Sequence, residues 1–428
     1  MSSSDLLGFL ASDFTEAVRD PLWGNVFLSP GLEAIASSPP FAKLGRIKQL
    51  GPAFLVYPGA THTRRAHSIG VFHMAKRIVS SLAAKGELDF CTRMSISSYL
   101  VAALCHDLGH FPFAHSLKEL PLAAHETLAS RDILDGELRG LVEAAGADPE
   151  LVAAIIDEDR LCAPYTGGRE LGFFRGLLSG VLDPDKLDYL NRDAFFCGVP
   201  YGLQDSDFIL QRLSIGPGGV LAIEERGLMS VEDLLFSKYL MYRSVYWHRG
   251  VRSATAMIKK AVLLALSEGV LASEDLYGLD DDGFYSLLRS RARTRGFKPL
   301  ELADKVFDAK LFCCVLDLPV DLSDERQNAL LDLMNRLQFE GKLASEAGMG
   351  SLDLVIDLPE SISFETDLCV LGDGSASSLS SRARSFAESP TVFSPPVVAG
   401  FASALRRLRV FASSPSERLS SVLRREFG

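Results

Sequence analysis

Seven of the eight histidines in this 428-residue chain fall between His62 and His125, six of them in the runs HTRRAHSIGV, CHDLGHFPFAH and AHE. Imidazoles serve as metal ligands and as proton donors and acceptors near neutral pH. Their clustering beside Asp107 and Glu126 therefore points to a metal or acid-base site. His106 and Asp107 follow the apolar segment SYLVAALC, and Gly109 is placed to end or bend a helix there. An ionised aspartate at the end of a buried helix is costly unless a cation or hydrogen bonds compensate. A divalent metal provides that compensation, and mixed imidazole and carboxylate donors suit iron, manganese, zinc, nickel or magnesium. An adjacent His-Asp pair is common by chance and gains weight only with further ligands. His67 shares a helix face with Val71, Met74 and Ile78, and taken alone it reads first as a core histidine held by one hydrogen bond. Cys105, beside the cluster, reads as a small buried apolar residue.

A second chemical segment is VLDPDKLDYLNRDAFFCG. If Pro184 opens a helix, Asp185, Lys186, Tyr189 and Asp193 fall within an arc of about 100°. That face is a poor core and a good polar pocket, although a solvated charged face uses the same letters. Asp188 and Arg192 fall to one side as an i,i+4 pair, worth about a few tenths of a kcal/mol if exposed. In SKYLMYRSVYWHRGVRS, Lys238, Tyr242, Tyr246 and Arg249 share a face while His248 lies off it. Cations interleaved with phenols suit a phosphate-bearing ligand, and a plain surface helix gives the same pattern.

The elements that must position these residues are mostly helical. Apolar spacing predicts helices through nearly all of the first 290 residues, with short strands at AFLVYPG and GGVLAIEERG. KLFCCVLDLP, SLDLVIDLPES and DLCVLG predict strands in a smaller mixed region. From Asp373 the composition turns to serine, alanine and arginine, an exposed tail in which SALRRLRV and RLSSVLRR read as short amphipathic helices. The expected organisation is a helical core over 1–290, a smaller mixed α/β region over 291–372 and a Ser/Arg-rich tail over 373–428, without internal repeats. A net charge of -11 with no long basic run argues against a stable nucleic-acid complex. No signal-like start and no apolar run of about 20 residues is present, so no membrane association is expected. Seven cysteines without a disulfide framework fit a reducing cytoplasm.

RIKQLG, YPGATHTRRAHSIGV, ALCHDLGHFPFAHS, AHE, DPDKLDYLNRD and VYWHR occur in the order and approximate spacing of one family. Over about residues 17 to 290 the chain resembles the HD-domain phosphohydrolases, in the deoxynucleoside triphosphate triphosphohydrolase branch that includes dGTPase-like enzymes. The resemblance implies a predominantly α-helical fold, an HD-domain helical core with a smaller mixed α/β C-terminal region. It implies one divalent metal on His67, His106, Asp107 and Asp185, with magnesium on the substrate's phosphates. His125 would protonate the leaving 5′ oxygen, with His110 beside the reacting phosphorus. Arg64 and Lys186 would clamp phosphates, joined at the outer ones by Lys238 and Arg249. Tyr189 and Asp193 would hold the deoxyribose, Gln49 and Leu50 would lie against sugar and base, and His115 and Tyr246 would complete the pocket. Hydrolysis at the α-phosphorus to deoxynucleoside and tripolyphosphate, and a homo-oligomer, are implied in the same way.

This sequence departs from that branch at several positions. Ala42 and Gly45 replace a glutamine and an arginine, and Ser37 stands where the mammalian member has an aspartate that binds a guanine activator. A guanine-nucleotide activator site of that type is therefore not expected. Lys118 occupies the place of an aspartate that supports the acid histidine, and Glu119 and Glu126 are the substitutes at hand. An HD phosphatase or phosphodiesterase acting on another nucleotide or phosphoester needs much the same metal site. A nucleotide-binding or assembly protein with weakened turnover is the non-enzymatic alternative. His62 and His73 have no role beyond proximity.

Overall fold

The computed structural model describes residues 3–160, 165, 167–372 and 382–428 and is predominantly α-helical, with small sheets. Capping starts the helices that carry the histidines. The Thr63 hydroxyl accepts the Ala66 amide at the head of Arg64–Ala84 (α1). Thr92 and Ser95 form a reciprocal capping box at the head of Arg93–Cys105 (α2). His125–Asp135 (α3) follows an irregular loop. Asp183 caps Pro184–Cys197 (α4), with Pro184 in the first turn and Gly198 closing the helix at φ 66°. Leu228–Met241 (α5) runs into a π turn over Tyr242–Tyr246, after which Arg249–Ser267 (α6) begins. Leu333–Ala347 (α7) and Glu417–Phe427 (α8) belong to the C-terminal module.

Helix α1 is the spine. It packs against α2 on one side and α4 on the other, and Val71, Met74 and Ile78 have no exposed surface in a core shared with Tyr99, Leu104 and Leu187. Two glycines set how closely the helices approach. A Cβ at Gly70 on α1 would collide with the Asp188 carboxylate and the Arg192 guanidinium of α4. One at Gly109 would collide with the His125 carbonyl and the Ala129 amide of α3, so Gly109 does more than end a helix.

Strands β1 (Glu16–Asp20) and β2 (Gly24–Leu28) form an antiparallel hairpin. β3 (Leu213–Ile215), β4 (Leu221–Glu224), β7 (Cys369–Leu371) and β8 (Ala383–Ser385) make a sheet in the order β3-β4-β7-β8, β4 and β7 being parallel. β5 (Cys313–Pro319), β9 (Arg407–Ala412) and β6 (Leu354–Asp357) make a second, with β9 in the middle. This differs from the expected partition. β7 extends a sheet begun in the helical core, and SALRRLRV divides: its first three residues end the helix Pro395–Leu405, and from Arg407 it is the central strand β9. Leu408 and Val410 are buried and alternate with Arg407 and Arg409, the period of a strand. RLSSVLRR is helical as expected, burying Leu419, Val422 and Leu423. The start of the serine-rich stretch, residues 373–381, lies outside the described residues.

AFLVYPG is also not a strand. Pro52 lacks the ladder N–H and Gly51 takes φ 50°, giving a 3-10 turn over Gly51–Leu55. Buried ion pairs fasten the C-terminal module to the core. Arg252 on α6 holds Asp357 at the end of β6, Lys260 holds Glu340 of α7, and Glu119 joins Lys259 of α6 to Arg336 of α7. No helix among the described residues is long and apolar enough to cross a membrane.

Candidate active site

The end of α2, the first turns of α1 and the first turn of α4 bring four donor side chains together. His67 Nε2 lies 2.9 Å from Asp185 Oδ1 and 3.9 Å from Asp107 Oδ2. His106 Nε2 lies 3.4 Å from Asp107 Oδ1 and 3.8 Å from Asp185 Oδ1. Ligands about 2.0–2.2 Å from a common cation stand about 3–4 Å apart, so these spacings fit one. The tautomers fit as well. His106 Nδ1 donates to the Ala103 carbonyl at 3.0 Å, leaving Nε2 as the lone-pair nitrogen, and that atom is buried without a hydrogen-bond partner. Burial works against ionised Asp107, but His110, Arg64 and His106 outweigh it and hold the carboxyl well below its ordinary range.

His67 is oriented from behind by a residue whose role the sequence reading missed. Its Nδ1 is 2.8 Å from Asp188 Oδ2. Asp188 also accepts from Arg192 Nε at 2.8 Å and Nη2 at 2.9 Å, and from Trp23 Nε1 at 2.5 Å. Arg192 Nη1 reaches Asp20 at 2.9 Å, and Asp20 in turn accepts the Leu22 and Trp23 amides of the hairpin turn. Asp188 and Arg192 have no exposed surface, so the few tenths of a kcal/mol that the pair would be worth if exposed does not apply. Breaking such a buried pair from one side costs about 3–5 kcal/mol. The signal lay in the apolar flanks Leu187 and Leu190, which place the i,i+4 pair inside. His73 packs its ring against Trp23.

Three further imidazoles cluster, tilted or edge-on to one another, beside the donor set. The His110 ring centroid is 3.8 Å from that of His125 and 4.8 Å from that of His115. His110 is wholly buried between them and is absent from the cavity wall. Its Nε2 lies 3.2 Å from His115 Nε2 and its Nδ1 3.3 Å from Asp107 Oδ1. His125 lies on the wall, with Nδ1 3.1 Å from Glu126 Oε2. Burial lowers the pKa of His125, while Asp107 and Glu126 pull it upward. Of the two carboxylates available to replace the one missing at Lys118, Glu126 is at His125. Glu119 is engaged with Lys259 and Arg336.

These groups open on a cavity of about 930 Å³ whose wall includes Gln49, Leu50, Arg64, His115, Lys118, Lys186, Tyr189, Asp193, Lys238 and Tyr246. Three of the cations on it already have partners. Arg64 Nη1 donates to Asp107 Oδ2 at 2.6 Å and Lys186 Nζ to Asp183 Oδ2 at 2.6 Å. Lys238 Nζ donates to Glu365 Oε2 at 2.8 Å and the Ser363 carbonyl at 2.9 Å. At the far end Asp193 accepts from the Tyr246 hydroxyl at 2.6 Å, and its other oxygen lies 2.9 Å from His62 Nε2. His62, stacked on Phe196, thus has a place the sequence did not assign. The Gln49 side-chain oxygen is buried without a partner. Arg249 is exposed at the start of α6 and does not line the cavity, because the π turn and the break at His248 take it off the face of Lys238 and Tyr246.

Residues 64–161 match the HD domain and residues 205–384 match the HD associated region. Asp185, the fourth donor, lies between the two matches. An uncharacterized protein of Methanocaldococcus jannaschii is 33% identical over 277 residues, covering 64% of this chain and 55% of that protein. The deoxynucleoside triphosphate triphosphohydrolase SAMHD1 of Danio rerio is 26% identical over 404 residues, 82% of this chain and 64% of that one. The chain spans less than two thirds of the length of either relative. The crystal structure of a hypothetical protein from Aquifex aeolicus matches with a TM-score of 0.70 at 25% identity, covering 95% of this chain and 99% of that chain.

The donor set has a pH signature. Burial opposes a charge on His67, yet Asp185 and Asp188 outweigh it and push the pKa up to about 10. Below that pH the ring carries a proton on each nitrogen, and a cation binding at Nε2 must displace one. Manganese affinity, measured by calorimetry between pH 6.5 and 8.5, is expected to rise about tenfold per pH unit, with about one proton released per ion. Affinity that does not change with pH would contradict this protonation state.

Proposed function

Because the chain belongs to the HD phosphohydrolase superfamily, we propose that it is a metal-dependent hydrolase of deoxynucleoside triphosphates that releases deoxynucleoside and tripolyphosphate. The observation that carries this reading is the order of groups along one cavity wall. The first turn of α4 brings Asp185 to the donor set and Lys186 beside it, and Tyr189 and Asp193 follow on the same helix. Asp185 and Asp193 are eight residues apart, about 12 Å of helix rise, a span suited to a phosphate and the sugar it carries. The name of the SAMHD1 relative points to the same substrate class.

When bound, a divalent cation supplies Lewis-acid polarisation of a phosphoryl oxygen at His67, His106, Asp107 and Asp185. The remaining work falls to the chain's own side chains. Arg64 and Lys186 face the charge on the phosphate oxygens as water adds at the α-phosphorus and the bond to the 5′ oxygen breaks. His125 holds a proton for the leaving 5′ oxygen: Glu126 fixes its Nδ1, and an incoming anionic substrate raises its depressed pKa. Tyr189 lies where it crowds a 2′-hydroxyl, and Asp193, held by Tyr246 and His62, is the acceptor for a 3′-hydroxyl. A phosphoester without outer phosphates is a second reading, favoured by the carboxylate partners that Lys186 and Lys238 already have.

Incubating metal-reconstituted protein with each deoxynucleoside triphosphate, alone and in mixtures, tests the proposal. Deoxynucleoside and tripolyphosphate are expected in equal amounts, and the His106→Ala, Asp107→Ala double variant is expected to be inactive while keeping its helical circular dichroism. Monophosphate and pyrophosphate as products would contradict it. Two variants separate the carboxylates near His125. Glu126→Gln is expected to lower kcat about tenfold or more, whereas Lys118→Asp changes it by less than about twofold because Glu126 already holds Nδ1. Equal effects would remove Glu126 from this role.

A further inference from the structure

The segment between β6 and β7, residues 358–368, has no regular secondary structure and runs along the rim of the cavity. Phe364 is buried, and its ring packs against Phe401 at a centroid distance of 5.9 Å. The following residue, Glu365, turns inward. Its Oε2 accepts from Lys238 Nζ at 2.8 Å and lies 3.9 Å from Lys186 Nζ, while the Ser363 hydroxyl donates to Oε1 at 2.8 Å. Lys238 is otherwise almost buried, with Phe364 beneath its ammonium. One carboxylate therefore lies against two lysines in the geometry a phosphate oxygen would use.

Resting on the triphosphate reading above, we infer that Glu365 is a specificity-determining residue that occupies the outer-phosphate subsite and yields it only to a ligand carrying enough phosphate charge. A carboxylate brings one negative charge and two oxygens to Lys238 and Lys186. A terminal phosphate brings more charge and three oxygens, so it is the stronger partner for the same cations. An orthophosphate or monophosphate bound at the metal end leaves the Glu365 contacts undisturbed. A polyphosphate chain has to displace them. The segment's construction permits this: the backbone of residues 359–367 makes no strand ladder. Besides Phe364 and the partly buried Ile362, which pack against the core, it is tied to the rest of the chain by Lys238 at the Ser363 carbonyl and by Arg406 at the Pro359 carbonyl. The first of these ties ends on the same lysine that the phosphate would take.

The test compares binding of tripolyphosphate and orthophosphate to the metal-loaded full chain, wild type against Glu365→Gln, after free metal has been removed. Glutamine keeps the shape of a partly exposed side chain, so the fold is retained. Tripolyphosphate is expected to bind Glu365→Gln at least about tenfold more tightly, with orthophosphate changed less than about twofold. Glu360→Gln removes the same charge from the same segment without touching either lysine, and its gain is expected to be much smaller. Equal gains in the two variants, or tighter orthophosphate binding in step with tripolyphosphate, would overturn the inference as a general charge effect. Unchanged or weaker tripolyphosphate binding in Glu365→Gln would overturn it by showing that Glu365 does not compete. No tripolyphosphate binding to either protein would instead overturn the triphosphate reading, and this inference with it.

Discussion

Asp188 has no exposed surface, yet its two oxygens accept from His67 Nδ1, from two nitrogens of Arg192 and from Trp23 Nε1. A buried carboxylate with that many donors is stable only while all of them stay in place. Much of the architecture follows from this constraint. Gly70 has no side chain because one would enter the Asp188 pair, and α1 and α4 can therefore approach closely. The β1–β2 hairpin turn is held to the helices through Asp20 and Trp23, far in sequence from the residues they support. The outcome for chemistry is that His67 presents Nε2, in a fixed ring orientation, to Asp185, Asp107 and His106.

The rest of the site repeats the principle that a side chain facing the cavity is held by one behind or beside it. His106 is set by the Ala103 carbonyl, His125 by Glu126, and Asp193 by Tyr246 and His62. The C-terminal module contributes too, through Glu119 and Arg336 at the His115 loop and through Glu365 at the lysines. That module is therefore part of the cavity's electrostatics.

His106 and Asp107 stood out because a His-Asp pair at the end of an apolar helix needs a cation, and Pro184 set the phase of the polar face of α4; His67 and Asp185 joined them as metal ligands only through the resemblance to the HD family. The helices of the core were legible for the same reason of period. What escaped was whatever depends on partners distant in sequence. Asp188 and Arg192 were seen only as an i,i+4 pair, since that spacing says nothing about His67 or about the hairpin that covers them. Arg249 was placed on the lysine face by counting through a helix that in fact contains a π turn. SALRRLRV was read as helix throughout because the position of its second half between two β partners, β5 and β6, is a tertiary fact. Glu365 carried no signal at all, being a lone carboxylate in an irregular stretch.

The account stands or falls on whether His67, His106, Asp107 and Asp185 share one cation. Anomalous X-ray diffraction from crystals of the manganese-loaded chain measures that directly. A single strong peak is predicted at about 2.0–2.3 Å from His67 Nε2, His106 Nε2 and an oxygen of each aspartate, with His67 Nδ1 still on Asp188. A peak bound instead by Asp107, His110 and His125, or no peak among these residues, would contradict it.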